Sequence, residues 1–540
     1  MNGHEACFCL IEDILSFLAR ITLQGKAMKS LSIRATGSLR VLFTVCLASV
    51  ILPLNFVGGA VATSAIAHEL GGGAQALSWI TNAFMLSFGC TLMAAGALAD
   101  EFGRKKVFIG GVALFALFSL LQALSGSLIG INLLRAAQGV AAAAALAGGS
   151  AALAQEFTGH ARTRAFSLLG SSFGIGLAFG PFLAGTLIAH WGWRSVFFSI
   201  AAVALLSLLT GTSKMRETRN PQATGIDWPG TLSFTAMLAL LTWALMAIPQ
   251  YGLRSALVLS LLASAALLLA VFIRVELRVA HPMLELSLFR FPRFIGVQAL
   301  PLATGFCFVV LLVLLPMLFI GVVGLSEARA GLMMMALSLP MLIVPLLAGW
   351  LTRWISPGKL CTAGLVIAAG GLGWLSQAVL AQDVPGMIAP MLVIGIGTGL
   401  PWGLMDGLSI GVVPLERAGM ASGIFSTTRV AGEGLALATV GAMLAAFIHT
   451  ALLASDAVGN VGEAAQRLAT GDLSRAQPLL PHSSATQLQQ LYAASFHPLL
   501  LWLMAITLLS ALAVFFALRR GEAHPDSSAA LRSAKGNGDK

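Results

Sequence analysis

Gly96-Ala-Leu-Ala-Asp100-Glu-Phe-Gly103-Arg104-Lys105-Lys106 is a dense charged turn between two apolar runs, 77–98 and 107–126. Each run is long enough to cross a bilayer. Gly96 is placed to let two helices approach closely, and Gly103 to allow a turn that most side chains would strain. Asp100 sits at a helix end within reach of Arg104, and the three basic residues anchor the turn on the cytosolic side. An ordinary positive-inside loop would explain the Arg and the Lys residues but not the positions of Gly and Asp.

The whole chain has the composition of a membrane protein. Of its 540 residues, 57% are hydrophobic and 10% charged, with a mean hydropathy of +0.88. That excludes a soluble globular protein and points to an all-α polytopic membrane protein. The net charge of +10 lies mostly in short loops on one side of the inferred topology. It therefore sets orientation and meets anionic lipid, and nucleic acid is not an expected partner. Six cysteines form no CxxC pair and no zinc-spaced Cys/His cluster, so neither metal nor cofactor is expected.

Fourteen apolar segments follow from Val41: 42–66, 77–98, 107–126, 129–155, 165–188, 195–212, 229–248, 254–275, 295–323, 330–352, 359–380, 386–413, 418–449 and 497–518. Placing both termini in the cytosol puts the great majority of the 32 Lys and Arg residues on the cytosolic side. Gly349-Trp-Leu-Thr-Arg353 with Gly358-Lys359 repeats the opening turn in degenerate form, Arg353 standing where Asp100 stood. Arg417-Ala-Gly-Met-Ala-Ser-Gly-Ile likewise echoes Arg162–Gly170. Both echoes carry an offset of eight spans, which makes two six-helix halves, 41–213 and 295–518, around a 214–294 linker with two extra helices. The halves would enclose a midplane cavity. The 450–496 loop would be a flexible or partly helical external cap, and the polar 519–540 tail has a disordered composition. Residues 1–40 form a cytosolic extension. Ile11–Leu23 carries Glu12, Asp13 and Arg20 and cannot span, and Met28 offers a second start that would make the first 27 residues a start-site artefact. An amphipathic interfacial helix is the alternative there.

Two further motifs lie inside spans. Span 4 holds Arg135-Ala-Ala-Gln138-Gly139, and a guanidinium there must face a partner or an aqueous cavity. Span 5 reads Gly176-Leu-Ala-Phe-Gly180-Pro181-Phe-Leu-Ala184-Gly185, small residues that permit close packing with a proline that bends the helix.

Together with Trp79, Trp193-Arg194, Asp227-Trp228, the Pro282 to Phe291 stretch and Arg429, these motifs resemble the major facilitator superfamily, in particular its 14-span drug:proton antiporter family. The resemblance covers nearly the whole chain from about residue 45. It implies a gating role for Gly96, Asp100, Gly103 and Arg104, a part in proton transfer for Arg135, and an exporter's motif at Gly176, Gly180, Pro181 and Gly185. An Arg135 bonded only to neighbouring helix carbonyls is the structural alternative. One departure matters: the family's span-1 aspartate is replaced here by Asn55, and the family's following Asn by Ala60.

The acids then carry the coupling question. Only Asp406 and Glu433 lie well inside spans, and a carboxylate there is a functional hypothesis because desolvation favours its protonated form. Arg429 lies one turn before Glu433, so an intrahelical ion pair is the structural alternative. Asn55, Trp79, Asn82, Phe84, Gln138, Trp402 and Arg429 are candidate cavity-lining residues; aromatic faces suit flat lipophilic compounds and a buried carboxylate suits cations.

The sequence thus reads as a multi-pass inner-membrane exporter of lipophilic drugs or small organic molecules in exchange for protons. It would act as a monomer, with a periplasmic adaptor protein as a candidate partner. A dedicated exporter of an endogenous metabolite or siderophore, or a facilitator uncoupled from protons, shares these features. No Walker A loop, metal cluster or nucleophile signature supports an enzyme.

Overall fold

A computed structural model describes residues 34–157, 159–211, 213, 215–218, 227–279, 290, 292–412, 418–455 and 458–519. The expectations for the leader before residue 34, most of the Pro282 to Phe291 stretch, Arg417 and the tail after 519 fall outside these. Thirteen helices among the described residues are long and apolar enough to cross a membrane, and the shorter apolar helix Arg194–Thr210 fills the sixth expected position. Backbone N–H and C=O groups in hydrocarbon must be satisfied within the segment, which is why apolar stretches of this length become helices.

The spanning helices are α1 (Arg34–Leu70), α2 (Ala74–Phe102), α3 (Arg104–Leu124), α4 (Leu128–Glu156), α5 (Gly159–Trp191), α6 (Arg194–Gly211), α7 (Trp228–Tyr251) and α8 (Ala256–Glu276). They continue as α9 (Arg293–Val322), α10 (Glu327–Leu351), α11 (Pro357–Leu380), α12 (Ile388–Gly411), α13 (Ala418–Ala454) and α14 (Ala485–Arg519). Helices α1–α6 pack among themselves, as do α9–α14, while α8 pairs with α7, which leans on α2 and α13. The two groups meet along α5 with α10 and α2 with α13.

Prolines shape the second group. α9 contains Pro301 and Pro316 and loosens into π-helical turns at Gly305–Val309 and Met317–Val322. α10 is interrupted between Ser338 and Pro340. A helical proline removes one backbone donor and clashes with the preceding turn, and a local change of helical pitch absorbs both.

The segment after α13 is more ordered than a flexible loop. Helices Val461–Ala469 and Leu473–Ala476 fold back onto the bundle, burying Ala464, Ala465, Leu468 and Ala476. Arg467 Nη1 donates to the Gly72 carbonyl at 2.6 Å and Gln489 Nε2 to the Val322 carbonyl at 2.8 Å. α14 starts at Ala485 rather than 497, because its first turns carry polar residues that project past the apolar zone.

Candidate functional site

The opening turn is a one-residue hinge. Gly103 ends α2 and begins α3 with φ +114°, a backbone region that L side chains rarely adopt. Its neighbours are close as well: a Cβ there would collide with Glu217 Oε1. The Arg104 N–H donates to the Thr218 carbonyl at 3.0 Å, so the segment after α6 clasps the turn. Glu217 was not legible in the motif. Gly96 differs from expectation. An added Cβ would meet nothing within 4 Å, so in this conformation Gly96 is not a point of helix contact. The Asp100 side chain lies outside the described set.

The span-5 motif does bring backbones together. Gly176 faces the Val50 carbonyl and Pro53 of α1, Gly180 faces Val57 and Leu54, and Gly185 faces the Glu327 carbonyl of α10 too closely to admit a Cβ. Gly331 of α10 in turn abuts the Pro181 carbonyl, 2.5 Å from where its Cβ would stand, and Ser338 Oγ donates to the Ala178 carbonyl at 3.1 Å. Small residues on both helices thus form the seam between the two groups of helices.

Arg135 is fully buried. Its Nε donates to the Ile80 carbonyl at 2.7 Å, and its Nη1 to Asn55 Oδ1 at 3.0 Å and Gln138 Oε1 at 3.2 Å. Gln138 also accepts from Asn55 Nδ2 and Gln122 Nε2, and donates to Ser119 Oγ. The guanidinium lies over the Phe84 ring at 4.9 Å, while Nη2 has no hydrogen-bond partner among the described residues. Removing such an ion from water costs several kcal/mol. Hydrogen bonds to a charge return about 1.5–3 kcal/mol each, so the amide cluster is needed in full. The sequence made Asn55, Phe84 and Gln138 candidate cavity lining; in this conformation they are buried partners of Arg135. Gly59 makes room for the guanidinium: a Cβ there would collide with Nη2.

Arg429 corrects another expectation. It pairs across helices with Asp406, Nη1 to Oδ1 at 3.3 Å and to Oδ2 at 3.4 Å, and not with Glu433. No residue spacing announces a contact between positions 23 apart. Glu433 is 9% exposed, and among the described residues no hydrogen bond or ion pair reaches it. Its Cα and Cγ lie 3.5 and 3.6 Å from where a Cβ on Gly305 would stand, at the first π-helical turn of α9.

One turn along α13 from Glu433, Leu437 enters the wall of a chamber of about 90 Å³ between α2, α9 and α13. Asn82 and Thr81 line it, facing Val313, Leu314 and Met317. It is too small in this conformation for a drug-sized ligand, which needs about 300 Å³ or more. Asn82 Oδ1 is buried without a partner among the described residues. Trp79 does not line this chamber, and Trp402 packs on Phe308 of α9, ring centroids 6.1 Å apart. At the end of α1, Glu69 accepts from Trp193 Nε1 at 2.8 Å and from Arg194 Nη1 at 2.5 Å, a clamp visible in the sequence only on its Trp-Arg side.

The family model described as Major Facilitator Superfamily matches residues 43–437. This chain belongs to the major facilitator superfamily. Multidrug resistance protein Stp of Mycobacterium tuberculosis is 30% identical over 381 residues, 70% of this chain and 71% of that protein. Cephamycin export protein CmcT of Amycolatopsis lactamdurans is 33% identical over 70% of this chain and 79% of that one. The tetracenomycin C resistance and export protein of Streptomyces glaucescens is 29% identical over 75% of each. Among solved structures, a bacterial homologue of the human lysosomal transporter Spinster, inward-facing and occupied, superposes with a TM-score of 0.62 at 15% identity over 91% of this chain and 98% of that one. A peptide transporter of the POT family, in complex with sulfate, gives 0.57 at 13% identity over 88% and 95%. This major facilitator protein is a multi-pass membrane transporter, not an enzyme.

Proposed function

We propose that this transporter exports lipophilic drugs or related small organic molecules from the cytosol in exchange for protons by alternating access, with both termini cytosolic and Glu433 as the proton-coupling residue. The observation that carries the reading is a nearly buried carboxyl group with no hydrogen bond or ion pair among the described residues, packed against the first π-helical turn of α9 on the helix, α13, that forms one side of the seam. An ionised carboxylate held there would be costly and a neutral one cheap. Proton binding at Glu433 is thereby linked to closure of the chamber beside it. The other acid within a span, Asp406, is bonded to Arg429, which sits on α13 one turn from Glu433 and in this state pairs with Asp406 and not with Glu433.

The close backbone approaches of α5 with α10, from Gly185–Glu327 to Ser338–Ala178, and the 458–480 segment seated on Gly72 support a state closed at the periplasmic end. Helices 41–213 and 295–518 move as halves in this reading, with the turn at Gly103 and Arg104 serving the gate between conformations. Arg135 positions α1, α2 and α4 and serves coupling through them. The relatives named for multidrug resistance and antibiotic export support a drug-like substrate and a plasma-membrane location.

Energised everted vesicles test the reading directly. Protonophore-sensitive uptake of ethidium into them is expected. Uptake that persists with the protonophore would point to an uncoupled facilitator, and no uptake of any lipophilic compound to a dedicated metabolite or siderophore exporter.

A further inference from the structure

A cleft of about 930 Å³ opens where the end of α7 (Ile248 to Leu253), the end of α13 (Ala445 to Thr450), the start of α2 and the helix Val461–Ala469 converge. That is the volume of a drug-sized pocket, ten times that of the chamber at the seam. Gln75, Ala445 and Gln466 line both the cleft and the chamber. One thin wall of three side chains therefore separates the space beside Asn82 from a wide opening beside the extra helix pair. Neither glutamine side chain makes a hydrogen bond among the described residues, so each can turn aside and offer its amide to a ligand. The helix that carries Gln466 is fastened to the turn between α1 and α2 by Arg467 on the Gly72 carbonyl at 2.6 Å, and Gly471 just beyond it lies against the Met317 carbonyl of α9.

The chemistry of the cleft selects its ligand. The Glu463 carboxylate is taken by Arg467 Nη2 at 3.3 Å and Asn460 Nδ2 at 3.2 Å, so it does not act as a free anion. What remains is Tyr251, exposed to 50%, with His449 and the two glutamines, set among Ile248, Leu253 and Ala445. Such a surface fits a ring compound bearing hydroxyl and carbonyl groups, which can lie against Tyr251 and bond the amides and the imidazole.

We infer that this cleft is a second binding site, a release vestibule in which polycyclic hydroxylated substrates lodge after passing the Gln75–Ala445–Gln466 wall. The vestibule role rests on the export reading, whereas the binding site itself does not. Of the extra helix pair, the end of α7 lines this site and forms its outer side.

The experiment uses the purified full-length chain in detergent, with tetracycline as the probe. In a Gln466→Cys variant, tetracycline is expected to slow maleimide labelling of residue 466 at least fivefold over the background labelling of the native cysteines. Fluorescence anisotropy should show tetracycline binding weakened at least tenfold by Ala445→Trp, which fills the shared wall. Tyr251→Ala, at an exposed position where folding is not at stake, should weaken it about threefold. Leu257→Trp on the exposed side of α8 should leave it unchanged. Unchanged labelling at saturating tetracycline, or equal binding by wild type and both cleft variants, would overturn the site. Ethidium transport by a protein that shows no such protection would leave export standing and remove the vestibule. Protection in a protein that exports nothing would keep the site and remove its role in release.

Discussion

Arg135 shows how a buried charge can be held without a counter-ion. With Asn55 beside it, the guanidinium is held by amides and a carbonyl, and among the described residues no carboxylate bonds to it. Asn55→Asp should therefore be tolerated. It supplies a counter-ion 3.0 Å from Nη1, and the thermal unfolding midpoint should stay level or rise, since a buried charge without its partner costs about 3–5 kcal/mol. A fall of several degrees would show that the Asn55 amide donation to Gln138 matters more than the charge. Arg135→Lys should fail to restore function, because an ammonium cannot reach Ile80, Asn55 and Gln138 at once; transport near wild type would refute the network. The sequence marked Arg135 and Gln138 through their motif, but not that Asn55 bonds both, since that contact joins different helices. The Arg429–Asp406 pair was hidden for the same reason: spacing on one helix suggested Glu433, and cross-helix geometry chose Asp406.

At the scale of elements, glycines decide what can approach. Gly305 faces Glu433 at ordinary contact distance, 3.5–3.6 Å from an added Cβ, so Gly305→Ala should transport normally and Gly305→Val should not, its extra methyls entering the space of the carboxyl side chain. Equal activity of the two would disprove the packing. Gly103 combines positive φ with the Glu217 carboxylate, so Gly103→Ala should lose about 1–3 kcal/mol from backbone strain plus the clash. Removing the clash with Glu217→Ala should recover part of the loss, read as expression and thermal midpoint; full recovery would mean that φ there carries no strain. The span pattern was legible because hydrocarbon demands long apolar helices. The polar start of α14 and the helix Val461–Ala469 were not, since neither needs an apolar run to form on the outside of the bundle. Trp79 and Trp402 were chosen for their chemistry, but only a fold can say which way a ring points.

For the molecule as a whole, the seam of α5 with α10 and of α2 with α13 sets which state is populated. Gly331→Ala pushes a methyl to 2.5 Å from the Pro181 carbonyl and should loosen this closure. A cysteine at position 338, buried and bonded across the seam, should then react with maleimide several-fold faster than in the Gly331 background; an unchanged rate would mean that the seam opens elsewhere. The fold class and the superfamily motifs were readable from residues 96–106, 135–139 and 176–185. The closed chamber was not, because a conformational state is a property of packed interfaces and not of any motif.

The most direct measurement is release of a preformed proton gradient from everted vesicles when ethidium is added, comparing wild type with Glu433→Gln. Glutamine keeps the shape of the neutral acid and cannot carry a proton. The account predicts that the wild type releases the gradient and the variant does not, although the variant still binds ethidium. Release of the same size in both would contradict Glu433 as the coupling residue and leave it a structural acid of the seam.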